Sequence, residues 1–287
     1  MTGTGPGAAT NADRVWLITG CSSGIGRELA LAALAKGERV AVTARDVTKV
    51  HDIVASAPGR ALALALDVTK PEQVGSAVGE AERMLGCIDV LVNNAGYGYL
   101  AAIEEGDEAD VRALFETNYF GMVAMIRAVL PGMRARGRGH IINVSSMTGL
   151  VGNPGVGYYA STKWAMEGFS EALRKELAPL GIRVSLVEPG AIRTEWAGGS
   201  LKQSPASLAA YALTVGARRT MIRGAHGTQA GDPRRVAEAI VMLSALEDPP
   251  MRLLLGRDVF EMFSAKLDEM KASLEQWRAV SLDVDYR

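Results

Sequence analysis

The chain has 287 residues, of which 48% are hydrophobic and 22% charged, so it holds enough apolar material for one large core. Its 31 Lys and Arg stand against 32 Asp and Glu for a formal charge of −1, which excludes the basic field that holds nucleic acid through counterion release. A small, uncharged partner is expected instead.

Residues 1–13 are rich in Gly, Thr and Ala with almost no large apolar side chain, which predicts a loose tail. From Val15 onward short apolar runs alternate with segments of helical period. VWLIT (15–19) precedes a helix over 25–36, RVAVTA (39–44) a helix over 47–56, and RALALAL (60–66) a helix over 72–85. CIDVLVN (87–93) is followed by a long helix within 108–134, HIINVS (140–145) by a helix from about 158 to 178, and IRVSLVE (182–188) ends the alternation. Apolar runs without polar alternation suit strands covered by helices on both faces. A single doubly wound α/β domain with a parallel sheet is therefore predicted over 14–257.

After Pro189-Gly190 the rhythm breaks, and 191–232 reads as an insertion covering a site before a helix resumes near Pro233. The last segment, 258–287, carries Val259, Met262, Phe263, Leu267, Met270, Leu274 and Trp277 at helical spacing. It is expected to pack on its own domain or on a second subunit. No basic-then-apolar leader opens the sequence and no uncharged run reaches the ~20 residues that cross a bilayer, so a cytoplasmic protein without membrane attachment is expected. Cys21 and Cys87 lack CxxC spacing and His51, His140 and His226 are scattered, which argues against a metal site.

The first strand ends in Thr19-Gly20-Cys21-Ser22-Ser23-Gly24-Ile25-Gly26, directly before a helix. Three glycines there serve a tight turn, close approach of backbone to a pyrophosphate, and close helix packing, with helix N–H groups facing the anion. The G-x-x-x-G-x-G spacing, Asn93-Asn94-Ala95-Gly96 after the fourth strand, Asn118 in the next helix, Ser145 at a strand end, Tyr159-Ala160-Ser161-Thr162-Lys163 and Pro189-Gly190 come in order along Val15 to about Gly256. In these motifs the chain resembles the short-chain dehydrogenase/reductase family. The resemblance implies a Rossmann-like fold and an oxidoreductase that uses a nicotinamide cofactor.

The resemblance assigns Gly20, Ser22, Ser23, Gly24, Ile25 and Gly26 to the cofactor loop, Asp67 and Val68 to the adenine, and Asn94, Ala95 and Gly96 to the cofactor's path. It places Pro189, Gly190, Ile192 and Thr194 at the nicotinamide. Between the two cofactors the residue after the second strand decides: an acid suits a free ribose hydroxyl and an Arg a ribose phosphate. Arg45 follows that strand and favours NADP(H) over NAD(H), with Ser22 adding a hydroxyl. The alternative is a solvated Arg45 with Asp46 turned to the ribose.

Moving a hydride to or from carbon requires a proton partner on the oxygen. Tyr159 is the candidate, because Lys163 four residues on shares its helix face and would lower the phenol pKa by ~2 to 3 units together with an oxidised nicotinamide. Ser145 is expected to hydrogen-bond the substrate oxygen. By resemblance Asn118 holds a water linking Lys163 to solvent, and Lys163 bonds the ribose. Tyr158 lacks a Lys at the fourth position on and is set aside. Trp196, Leu201, Leu208, Tyr211, Leu213 and Met221 of the lid, facing Tyr97, Tyr99, Met147, Leu150 and Val151, imply an apolar ketone or secondary alcohol. The rivals are a cofactor-binding regulatory protein without turnover, an NAD-dependent dehydrogenase of the same family, and an enzyme that uses the cofactor for epimerisation or dehydration. The helices over 108–134 and 158–178 resemble the pair that assembles family members into homodimers or homotetramers.

Overall fold

Seven strands, all parallel, lie in the order β3-β2-β1-β4-β6-β7-β9. In the computed structural model, which describes residues 13–286, they are β1 (Val15–Ile18), β2 (Arg39–Ala44), β3 (Ala61–Ala65), β4 (Ile88–Asn93), β6 (Gly139–Val144), β7 (Ile182–Pro189) and β9 (Arg252–Leu255). A two-stranded parallel ribbon, β5 (Gly98–Leu100) with β8 (Leu201–Gln203), stands apart from them. Apart from Asp13, the expected tail over 1–13 lies outside the described residues.

The unbroken apolar runs are buried from both sides. All four residues of β1 are inaccessible, and two separate cores flank the sheet. One packs α3 (Pro71–Leu85), α5 (Gly121–Arg136) and α6 (Gly157–Leu177) on a face through Val78, Met125, Ile126 and Leu173. The other packs α1 (Gly24–Ala35), α2 (His51–Ser56) and α8 (Pro233–Ala245) on the opposite face through Leu29, Ile53 and Ile240. Each such side chain contributes ~1.5–3 kcal/mol on burial, which is why pairing and layering follow the apolar runs so closely. The chain order reverses beside β1, whose neighbours are β2 and β4, and a crevice opens at that point beyond the strands' C-terminal ends.

Three expectations gain detail. The helix within 108–134 contains a π turn: α4 (Glu108–Phe115) continues through Glu116–Phe120, where the Asn118 side chain bonds away from the helix, into α5. The helix over 47–56 starts as a 3-10 turn, Val47–Val50, before α2. The insertion over 191–232 is ordered: it holds β8 and α7 (Ala217–Ala225), and its two ends are tied by an Ile192 to Gly231 bridge. A third, smaller core of Tyr99, Leu100, Leu114, Val156, Tyr159, Leu201 and Ile222 seats this segment on α4 and α6.

The final helices, α9 (Arg257–Gln276) and α10 (Arg278–Leu282), pack only the start of the stripe on their own domain, with Met262 and Phe263 half-buried. Of α9 only Val259 is buried, while Phe260, Leu267, Met270, Leu274 and Trp277 are exposed. No helix among the described residues is long and apolar enough to cross a membrane.

Candidate active site

The crevice is a cavity of about 1160 Å³ running from the glycine loop along the strand ends to the underside of the 191–232 segment. At one end, Thr19 fixes the loop to β4: its Oγ1 accepts from the backbone N of Asn94 at 2.9 Å and of Ala95 at 3.0 Å. The Asn94 amide returns two bonds, to the carbonyls of Thr19 at 2.9 Å and Gly20 at 3.0 Å. That staple explains Asn94 chemically and leaves Gly20, at φ +74°, in a conformation that side chains rarely adopt. A Cβ on Gly26 would lie 2.4 Å from both the Asn94 amide and the Gly20 carbonyl, so this glycine permits packing and does not line the cavity. Gly20, Ser22, Ser23, Gly24 and Ile25 do line it.

Ser23 takes the N-cap position of α1 without a side-chain capping bond, and the first turn has no acid. The helix's N-terminal N–H groups and positive dipole end thus remain for a diphosphate, and the residues present fit one. Beyond β2 the two candidate ribose residues separate. Asp46 spends its carboxylate on its own turn, accepting from Thr48 N at 3.1 Å and Thr48 Oγ1 at 2.6 Å. Arg45 is exposed on the cavity wall. Asp67 accepts from Thr69 N at 3.0 Å and Thr69 Oγ1 at 2.8 Å, both on Oδ1, and with Val68 it lines the same wall. Thr69 is therefore a partner of Asp67 and not the cap of α3, whose N-cap is Lys70.

At the other end Tyr159 and Lys163 project from α6 on one face, and Ala95, Gly96, Pro189, Gly190, Ile192 and Thr194 complete the wall. Lys163 Nζ donates to the Val144 carbonyl at 2.8 Å and stands 5.8 Å from the centre of the Tyr159 ring. Burial lowers the Lys163 pKa to about 8, with Glu167 acting the other way. The Tyr159 phenol is pushed up to about 12 by burial, against which the Ser146, Trp196 and Thr148 side chains work. In the protein alone burial governs the phenol, and Lys163, whose ammonium donates to a carbonyl, is not among the groups acting on it; the lowering expected from Lys163 together with an oxidised nicotinamide concerns the cofactor-bound protein.

The serine assignment is corrected. Ser145 and Ser146 follow β6 and both border the cavity, but their hydroxyls have different partners. The Ser145 hydroxyl donates to Glu167 Oε1 at 2.5 Å, and it is Ser146 whose hydroxyl faces the phenol. Ser146 is steadied by Thr148, which donates to its Oγ from N at 3.2 Å and from Oγ1 at 3.1 Å.

Asn118 lies one layer behind the cavity, buried in the π turn. Its Oδ1 accepts from Tyr97 N at 3.0 Å, and its Nδ2 donates to the Tyr97 carbonyl at 2.9 Å and to Thr162 Oγ1 at 3.2 Å. Tyr158 lies outside the cavity, donating to the Ile103 carbonyl at 2.7 Å.

On the substrate side Trp196, Leu201, Met221, Tyr97 and Met147 line the cavity as expected, and the Trp196 ring sits 5.4 Å from that of Tyr159. Leu208, Tyr211 and Leu213 face elsewhere; Leu213 is 93% exposed, and Tyr99 is core, its hydroxyl accepting from Asp107 N. Leu150 and Val151 also stay out of the lining. The lining adds Val156, Arg218, Ile222, Ala225 and Gln229. Val156 is one helical turn before Tyr159, and 218, 221, 222 and 225 form one helix face, so both were within reach of a spacing argument. Among the described residues no His, Cys, Asp and Glu cluster could hold a metal ion.

Comparison with known proteins agrees with this architecture. The sequence model of the short chain dehydrogenase family matches residues 14–204. The chain is 41% identical over 270 residues to Oxidoreductase BOA17 of Botryotinia fuckeliana (strain B05.10), covering 94% of this chain and 98% of that one. A crystal structure of a short-chain dehydrogenase from Streptomyces avermitilis is similar at a TM-score of 0.90 and 42% identity, over 96% of this chain and 99% of the other. A short chain dehydrogenase/reductase from Burkholderia phymatum, solved in complex with NAD, shares the fold at a TM-score of 0.81, 22% identity and coverage of 91% and 95%. With the motif order, the parallel sheet and the family match in hand, the chain belongs to the short-chain dehydrogenase/reductase family of oxidoreductases.

Proposed function

We propose that the protein interconverts a ketone and a secondary alcohol with NADP(H), Tyr159 exchanging the proton on the substrate oxygen. The observation that carries this reading is that the Tyr159 phenol and Ser146 hydroxyl share one wall of a cavity continuous with the glycine loop. When bound, the cofactor donates or accepts the hydride. Ser146 donates a hydrogen bond to the reacting oxygen, and Tyr159 gives it a proton in reduction or takes one in oxidation. Lys163 keeps a positive charge under the phenol ring, and Asn118 fixes the Tyr97 backbone beside it.

Arg45 favours NADP(H) because its guanidinium has no hydrogen bond or ion pair among the described residues, while Asp46 Oδ1 is taken by Thr48. Ser22, Ser23, Gly24 and Ile25 would hold the diphosphate, Asp67 and Val68 the adenine, Asn94, Ala95, Gly96 and Lys163 the nearer ribose, and Pro189, Gly190, Ile192 and Thr194 the nicotinamide. The 191–232 segment acts as the substrate lid on a domain spanning 14–257, and the exposed stripe of α9 is covered by a second copy in a homodimer or homotetramer.

Fluorescence titration of the purified protein with NADPH and NADH, followed by a carbonyl panel with wild type and Tyr159→Phe, tests the reading. Tighter NADPH binding is expected, with turnover lost and cofactor binding kept in Tyr159→Phe. Equal or tighter NADH binding would overturn the Arg45 argument. Cofactor binding without turnover of any carbonyl would move the protein to the binding class.

A further inference from the structure

The lid helix α7 turns one face to the cavity, made of Arg218, Met221, Ile222 and Ala225 at positions i, i+3, i+4 and i+7. Three of the four are apolar and the first is a cation. An arginine on the inward stripe of a short helix needs a partner, and the next residue shows what a partnered one looks like. Arg219 donates to Glu105 Oε2 at 2.7 Å and to the Ala206 carbonyl at 3.0 Å, closing the lid onto the 103–105 turn. Among the described residues Arg218 has no such acid. Its Nε, like that of Arg219, is shut off from solvent without a hydrogen-bond partner, but unlike Arg219 it has no ion pair to offset this. Burial lowers its pKa from the usual arginine range with no carboxylate acting against the fall.

Its position is set by the loop that opens α6. A Cβ on Gly155 would stand 3.8 Å from Arg218 Cγ, so the aliphatic stem crosses the backbone just before Val156, one helical turn from Tyr159. Arg218 thereby lines the same cavity as Val156, Met221, Ile222 and the reacting Tyr159. Leaving a guanidinium half-desolvated is costly, and a bidentate oxyanion on a bound molecule is the chemistry that offsets it.

We propose that Arg218 is a specificity residue that selects an oxyanion-bearing substrate, a ketone or alcohol with an apolar body and a carboxylate or phosphate group. The inference rests on the oxidoreductase reading of the site and replaces a purely apolar substrate with an amphiphilic one. The apolar stretch of the cavity takes the body, Ser146 and Tyr159 take the oxygen that reacts, and Arg218 takes the charged end.

Two measurements test it. Isothermal calorimetry of the cofactor-saturated protein with octanoate, octyl phosphate and methyl octanoate reads the charged end without turnover. The better of the two anions is expected to bind wild type ~10-fold or more tightly than the ester, and to lose that advantage in Arg218→Met while Arg218→Lys keeps part of it. Which anion binds better separates carboxylate from phosphate. Initial rates with oxooctanoates bearing the ketone at successive positions, each against its methyl ester, give the second reading. In Arg218→Met the KM of the preferred acid is expected to rise ~10-fold or more with kcat nearly kept, and the ester's constants to stay put. Equal binding of acid and ester by wild type, or an acid-to-ester ratio unchanged in Arg218→Met, overturns the proposal. Anion binding that depends on Arg218, in a protein that turns over no carbonyl, would leave the anion site standing and remove the oxidoreductase reading.

Discussion

Ser145, at the edge of the cavity, donates its hydroxyl to Glu167 at 2.5 Å. Glu167 in turn accepts from Arg252 Nε at 3.0 Å, so the strand end carrying both serines is anchored through α6 to β9. Ser146 alone is left for the reacting oxygen. Ser146→Ala is expected to cost ~100-fold or more in kcat, the usual effect of losing one donor to a developing oxyanion, with little change in folding stability. Ser145→Ala should do the reverse: it strips Glu167 of a buried donor and destabilises by ~1–3 kcal/mol while kcat falls far less. Steady-state rates and urea unfolding of the two variants decide the matter, and a larger kcat loss in Ser145→Ala would return the role to that residue.

Asn118 makes a second kind of contribution, through geometry. Its amide satisfies both backbone groups of Tyr97 and the Thr162 hydroxyl from within the π turn between α4 and α5. Asn118→Leu leaves those groups without partners in a buried place, at ~1–3 kcal/mol for each group left unsatisfied. The expected result is a lower urea midpoint together with a large loss of turnover. A variant with unchanged stability would mean that water replaces the amide and that the turn has another cause.

The sheet was legible because its strands are buried on both faces, so that Val15–Ile18 reads as a continuous apolar run and Ile88–Asn93 and Ile182–Pro189 keep adjacent apolar residues, Val90 to Val92 and Leu186-Val187, on both faces. Tyr159 and Lys163 were legible because spacing on a helix fixes a common face. What escaped depended on side-chain partners far away in sequence. The π turn exists because Asn118 reaches a backbone 21 residues earlier, and the exchange of Ser145 for Ser146 shows only once Glu167 is seen to hold the former. The rise of the phenol pKa in the protein alone was not legible, because spacing shows a neighbouring charge but not the burial around the ring. The 191–232 segment lacks a periodic pattern, as its order comes from β5, Glu105 and the Ile192 to Gly231 bridge.

The glycine loop offers a test of packing against chemistry. Gly26 does not touch the cavity, yet a Cβ there would meet the Asn94 amide and the Gly20 carbonyl at 2.4 Å. Both are fixed, Asn94 by its bonds to Thr19 and Gly20 and the carbonyl by its place in the turn. Gly26→Ala is therefore expected to displace Asn94, weaken binding of either nicotinamide cofactor ~10-fold or more, and destabilise by ~1–3 kcal/mol. Fluorescence titration and thermal melting would show both losses together. Normal cofactor affinity in a well-folded Gly26→Ala protein would show that the staple can shift at no cost.

Glu188 adds a pH dependence of its own, which a comparison with Glu188→Gln isolates from other groups such as His140. It is inaccessible, both carboxylate oxygens lack a hydrogen-bond partner among the described residues, and Arg252 Nε stands 3.7 Å from Oε1. Burial, with Glu167 adding to it and Arg252 opposing, raises its pKa to about 8. In the unfolded chain the same group titrates near ~4.3. Between these two values the folded protein holds a proton that the unfolded chain has lost, so stability falls as pH rises through that window and the full penalty is reached above about 8. Glu188→Gln removes the titration and keeps the shape. Wild type is expected to lose at least ~3 °C of melting temperature relative to Glu188→Gln between about pH 5 and pH 8. Any fixed cost of the buried amide displaces the variant's whole curve without tilting it, so the difference in slope is the readout. Parallel melting curves over that range would mean that Glu188 stays charged in the fold, held by Arg252 more tightly than burial opposes.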